Sequence, residues 1–171
     1  MRWIFLAFVA VFLAALTSTQ FPNSQPLDKV LKADRVIIYK SQRKLVLLNR
    51  YQIIKTYRVS LGGNPQGPKN SEDDGRTPEG TYRIDWRNAD SAYHLSLHLS
   101  YPNAQDRTQA LQKGDSPGDD MMIHGIKNGL GLLGFVHHLW DWTDGGIAVT
   151  NGQIREIWQA VPDGTMVDIR A

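Results

Sequence analysis

Between positions 35 and 61 apolar residues recur in short clusters, "VIIY", "LVLL", "II" and "YRVSL", parted by the polar breaks "KSQRK" and "NRYQ". The clusters are rich in β-branched and aromatic residues and too short for helices, so the stretch predicts a three-stranded meander. "TYRIDW" and "YHLSLHLS" continue as two alternating strands. In the second, alternation puts Tyr93, Leu95, Leu97 and Leu99 on one face and His94, Ser96, His98 and Ser100 on the other. "MMIHG" reads as a short buried strand ending at a glycine, and "TMVDIR" as a closing strand.

One segment carries a clear helical period. In "TNGQIREIWQAVPDG", Ile154, Ile157, Trp158 and Val161 stand at i, i+3, i+4 and i+7. Thr150 or Asn151 can cap its start, and Pro162 and Gly164 stop it. "YPNAQDRTQALQKGDSPGDD" reads as polar loop with room for one helical turn. Residues 62–80 form a long loop dense in Gly, Pro and Asn, and such loops are more often functional than neutral. No internal repeat is found. The fold class is mainly β, or α+β, in a single domain with one helix near the C-terminus.

Residues 3–16 break this pattern. They form an uncharged, almost wholly apolar run behind Arg2, followed by the polar "TSTQFPNSQP". The run has the length of an export-signal core and is short for a membrane span, which needs roughly 20 apolar residues. "AALTS" supplies small residues but no A-x-A cleavage pattern, so an uncleaved anchor stays open. The expected organisation is a signal peptide or N-terminal anchor at 1–20, a tether at 21–33 and one domain at 34–171. The expected location is the periplasm or cell envelope.

Composition changes the picture at two points. Net charge is +2 with no dense Lys/Arg run, which argues against a dedicated nucleic-acid binder. The 171 residues include no cysteine, so there is no disulfide, no thiolate metal site and no thiol nucleophile.

Several residues could carry chemistry. His124, after two apolar residues and before Gly125, is placed as a base at a strand end; a satisfied structural histidine is the plain alternative. His94, His98, His137 and His138 raise the question of a metal; four residues along a strand put His94 and His98 about 13 Å apart, too far for one ion without help from elsewhere, while His124 with a partner could still build a site. "EDDG" and "GDD" are most simply solvated turns. "DWTDGGIAVT" places Thr143, Asp144 and the pair Gly145–Gly146 before an apolar run, which by itself is a glycine turn.

The order of these pieces resembles the L,D-transpeptidase catalytic domain, the YkuD domain, in its exported single-domain form. The resemblance runs from about Ala33 to Arg170 and rests on "VSLGGNPQGPK", "DGRTPEGTYRI", "HLSLHLSYPN", "GDSPGDDMMIHG", "DWTDG-x-IAVTN" and "EIWQAVPDGTMVDI". It implies a β-sandwich with a deep groove that acts on peptidoglycan stem peptides, without metal or cofactor. In the family a thiolate attacks the carbonyl of the diamino acid at stem position three, and the terminal D-alanine leaves. His124 is then the general base, and Asp144 and Gly145 belong to the oxyanion-site segment. Arg76, His94, His98, Gly125 and Thr143 become candidate substrate-binding residues. The family's cysteine falls where this chain has Gly146.

Glycine cannot form an acyl-enzyme. Three readings follow: an inactivated variant of an enzyme, a pseudoenzyme that still binds stem peptides or a partner, or altered chemistry in which His124 activates a water in the vacated space. Thr143 is a poor replacement nucleophile, being three residues away from position 146.

Overall fold

The computed structural model describes residues 31–171. The expected signal or anchor at 1–20, and the tether up to residue 30, lie outside the described residues. Among the described residues no helix is long and apolar enough to cross a membrane.

The meander is present as β1 (Arg35–Tyr39), β2 (Lys44–Asn49) and β3 (Gln52–Arg58), paired antiparallel. Left-handed backbone at Arg43, Arg50 and Tyr51 makes the two tight turns. Val36, Ile37 and Ile38 of β1 are all buried: Val36 and Ile38 face the enclosed core, and Ile37, on the other face, lies between Val46 of β2 and Asp168 of β8 (Met166–Arg170), which pairs parallel along the far edge. A central strand covered on both faces reads as a continuous apolar run instead of an alternation.

β4 (Gly80–Asn88), β5 (Ser96–Leu99), β6 (Met122–His124) and β7 (Ile147–Ala148) complete an eight-stranded sheet in the order β3-β2-β1-β8-β4-β5-β6-β7. β4 is the corner. Its first half pairs with β8 and its second with β5, with a register irregularity between Ile84 and Arg87. Such irregularities bend a strand and increase its twist. The sheet therefore curls into a half-barrel, and the two expected layers arise from one sheet facing itself.

The curl brings the ends together. Ser60, just past β3, exchanges backbone bonds of 3.0 and 2.9 Å with Ala148 of β7. Gly62 bridges to Thr143, with Thr143 N–H donating to Leu61 O at 3.1 Å and Gly63 N–H to Thr143 O at 3.0 Å. Val36, Ile38, Leu45, Leu47, Leu97 and Ile123 belong to the enclosed core, joined by Ile154 and Ile157 of the helix Asn151–Ala160. That helix, α2, starts at Thr150, whose side chain accepts from Gln153 N–H while Gln153 reaches back to the Thr150 N–H.

Two local expectations change. The polar segment after Tyr101 holds a full nine-residue helix, α1 (Ala104–Gln112), not one turn. Asn103 and Asp106 form a capping box, and Tyr82 donates to the buried Asp106 carboxylate at 3.2 Å. The start signal was in the sequence, but α1 lacks an apolar stripe because it buries only Asp106 and Ala110. His94 lies outside the strand it was read into. Its φ is 72°, and the turn lets Tyr93 O and Leu95 O both accept from Gly125 N–H. The left-handed residue breaks the pleat, so alternation fails between His94 and His98.

Candidate active site

The parallel pairing of β6 with β7 sets Ile123 against Ile147 and His124 against Ala148. That register brings His124 beside Gly146. His124 Nδ1 lies 2.8 Å from the Gly125 carbonyl. A carbonyl only accepts, so Nδ1 carries the proton and Nε2 holds the lone pair. Burial pushes the imidazole pKa down and the Gly125 bond opposes this in part, so the ring is a neutral base. Tyr93 and Trp142 hold it from two sides, with ring centres 4.7 and 5.9 Å away.

Nε2 faces position 146. A β-carbon built on Gly146 would lie 2.9 Å from His124 Nε2, 3.1 Å from Cδ2 and 3.2 Å from Met122 O. The backbone at Gly146 lies outside the left-handed region, so space, not φ, is what a side chain would contend with. The β-carbon's own position is thus crowded by the imidazole, and any room for a water lies further out in the cleft.

The segment before β7 is held at both ends. Asp141 accepts two bonds from Arg43 Nε, at 3.0 and 3.1 Å, one from Arg43 Nη2 at 2.7 Å, and the Leu61 N–H at 2.9 Å. Thr143 Oγ1 donates to Gly146 O at 2.7 Å and accepts from Gly145 N–H at 3.2 Å. Its hydroxyl is therefore committed to shaping the turn, and the Gly145 N–H is engaged within the segment. Gly145 sits at φ 122°, and a β-carbon there would come 2.7 Å from Arg76 O. Only glycine fits.

His124 and Gly146 line a cleft of about 290 Å³, the size of a small-ligand pocket. Met121, Met122, Tyr93 and Trp142 form its apolar part. Glu72, Asp73, Asp119, Asp120 and Asp144 crowd the rest, opposed by Lys69, which is paired to Asp74 at 2.9 Å. The rim is net acidic and favours a cationic group. The carboxylates read as plain turn residues therefore divide. Asp74 is a hub inside the loop, accepting from the N–H groups of Asn70, Ser71 and Arg76 and from Lys69. Burial alone would raise its pKa, but these bonds outweigh that and hold it low. The others named face the cleft. Tyr93, Trp142, Met121 and Lys69 carried no signal in the sequence that would mark them as lining residues.

Of the expected residues, His124, Thr143, Asp144 and Gly146 line the cleft together. Gly125 lies behind it and offers its carbonyl to His124. Arg76, His94 and His98 are not among the lining residues. Arg76 packs its backbone carbonyl against Gly145. His94 Nε2 lies 3.0 Å from Arg155 Nη1. His98 stacks on Trp86 at 4.7 Å, bonds Asp85 at 2.6 Å through Nδ1, and reaches the rim only through Asp120 at 3.8 Å. Among the described residues no group of three or more His, Asp, Glu or Cys is arranged to hold a metal ion.

The chain is similar to several known proteins. YafK of Escherichia coli K12 is 29% identical over 154 residues, covering 85% of this chain and 54% of YafK. The chain thus spans about half the length of the curated relative it matches. Among solved structures, the helical cell shape determining protein Pgp2 of Campylobacter jejuni (K307A mutant) superposes with TM-score 0.63 at 22% identity, over 82% of this chain and 48% of Pgp2. Bd1075 of Bdellovibrio bacteriovorus gives 0.57 at 22% identity, over 85% and 53%. At these identities the structural likeness speaks for the fold. The profile of YkuD, described as the L,D-transpeptidase catalytic domain, matches residues 33–169, and with most of its length so matched the chain belongs to that family.

Proposed function

We propose that this protein is an exported, peptidoglycan stem-peptide-recognising member of the family, disarmed for cysteine-dependent acyl transfer by Gly146. The observation that carries the reading is the aim of His124 Nε2, as a neutral base, at a position with no side chain. In the family's chemistry a thiol there loses its proton to the histidine, its sulfur bonds the diamino-acid carbonyl, and D-alanine leaves. Here the base and the cleft stand ready and the nucleophile is lacking. The acidic rim supports the assignment, since the free amine of a diamino acid is attracted to it. A pseudoenzyme that binds stem peptides in the envelope, held there by the apolar run at 3–16, is the form this takes.

The test pairs the protein with Gly146→Cys on purified tetrapeptide muropeptides, read by mass spectrometry. Release of D-alanine or new cross-links only with the cysteine variant supports the reading. Failure of both folded proteins to bind or turn over muropeptides overturns it. A second reading, slow hydrolysis driven by His124, draws on the unprotonated Nε2 facing the cleft. It requires that the Gly146 protein itself releases D-alanine and that His124→Gln abolishes this.

A further inference from the structure

Between β6 and β7 the chain makes two short 3-10 helices, Gly131–Phe135 and His137–Leu139. Their backbone is pinned from below. Ser60 Oγ donates to His137 O at 2.7 Å, and Gly134 is buried against Thr150. The large side chains point outward: Leu132 is 90% exposed, Phe135 75%, Leu139 68% and Trp140 55%. With Leu130 and Leu133, six of the eleven exposed large apolar residues among the described residues fall in this one segment. Such a concentration marks an interaction surface.

We propose that this segment, residues 128–140, docks the domain onto an anionic lipid bilayer. Leucines, a phenylalanine and a tryptophan on a pinned backbone are the side chains that enter the acyl and head-group boundary. No Asp, Glu, Lys or Arg stands between 128 and 140. Its two histidines are kept neutral: burial and the neighbouring His138 push His137 down to about 4, and burial together with Arg58 lowers His138. The N-terminal flank is cationic, while Asp141 at the other end is paired to Arg43 at 2.7 Å and exposed Asp144 belongs to the cleft. Lys127 is exposed at the start of the segment, and exposed Arg58 lies close enough to His138 to disfavour its protonation. An apolar centre with a basic margin on its Lys127 and Arg58 side complements a bilayer bearing acidic head groups.

The chain's path agrees. Ala33 N–H bonds Ala160 O at the C-terminal end of α2, while Gly131 and Gly134 lie against Asn151 and Thr150 at its other end. Ten residues of helix span about 15 Å. Residues 17–30, drawn out fully, reach about 45 Å. The uncharged run at 3–16 and the exposed loop can therefore meet one bilayer. One weak membrane signal gives marginal attachment, and two together hold. The inference does not depend on the chemistry at position 146.

The chain has no cysteine, so Leu132→Cys in the full protein gives a unique attachment point for a nitrobenzoxadiazole fluorophore. Leu111→Cys on α1, 74% exposed, is the control. With phosphatidylglycerol/phosphatidylethanolamine vesicles, the label at 132 is expected to brighten at least about twofold and shift to the blue, the label at 111 to stay unchanged, and the response at 132 to weaken with neutral phosphatidylcholine vesicles. A silent label at 132 on protein that co-sediments with the vesicles overturns the proposal. So does a vesicle-independent response that grows with protein concentration, which means a second copy covers the loop. A response in dilute protein without lipid means the chain's own N-terminal run covers it. A response to purified sacculi but not to vesicles makes the loop a wall-binding surface.

Discussion

His124 Nε2 sits 2.9 Å from the point where a β-carbon on Gly146 would stand, closer than side chains pack. The base and the empty position are therefore one unit: any side chain at 146 must move the imidazole, and only a small movement is needed. Met122 O, the third neighbour at 3.2 Å, is backbone and yields less.

Gly146→Ala is expected to destabilise the fold by about 1–2 kcal/mol, the crowding outweighing the smaller gain from a stiffer unfolded chain. In a His124→Ala background the cost should shrink, because two of the three close contacts are gone. Urea denaturation of the four proteins measures the coupling. Equal costs in both backgrounds would show that the ring does not oppose position 146.

Gly145→Ala should be far worse, about 3 kcal/mol or more, because φ of 122° and the 2.7 Å approach of Arg76 O act together. Gly129→Ala, at φ 85° with open space, should cost only about 1 kcal/mol. Denaturation midpoints of the two variants compare strain with and without collision.

Stability should fall as the medium is acidified. His137 has its pKa lowered from 6.5 to about 4, so below pH 6.5 the unfolded chain binds a proton that the native state refuses. The native state loses on the order of 3 kcal/mol on this account as pH drops from 6.5 to 4, then no more. His124, also lowered, adds in the same direction. His137→Gln should flatten the curve of urea midpoint against pH across that window; an unchanged slope would assign the loss to other groups.

Asp141→Ala removes the acceptor that ties Arg43 and the Leu61 N–H to the segment before Gly146. The partly buried N–H and guanidinium left behind should cost about 2–3 kcal/mol. Hydrogen exchange should quicken at the amides of Thr143 and Gly145, whose bonds depend on that placement. Protection unchanged there would mean that the Thr143 hydroxyl alone holds the turn.

Local pattern along the chain is enough for the meander, the helix at Asn151–Ala160 and the strand that ends at His124. Periods of 2.0 and 3.6, caps and stops are local properties, and neighbours along the chain suffice to read them. It failed at His94 because a single left-handed residue reverses a face without altering composition. It shows only part of α1, whose capping box is legible but whose exposed surface leaves no apolar stripe. What it could not decide was which distant segments meet. The bond from Arg43 to Asp141 spans 98 residues, and Ser60 finds Ala148 only because the sheet bends at β4 and curls back. The parallel register that aims His124 at Gly146, and the acidic rim around them, follow from that closure. Periodicity tells a strand which face is buried but carries no information about which strand lies beside it, so the cleft belongs to the tertiary structure alone.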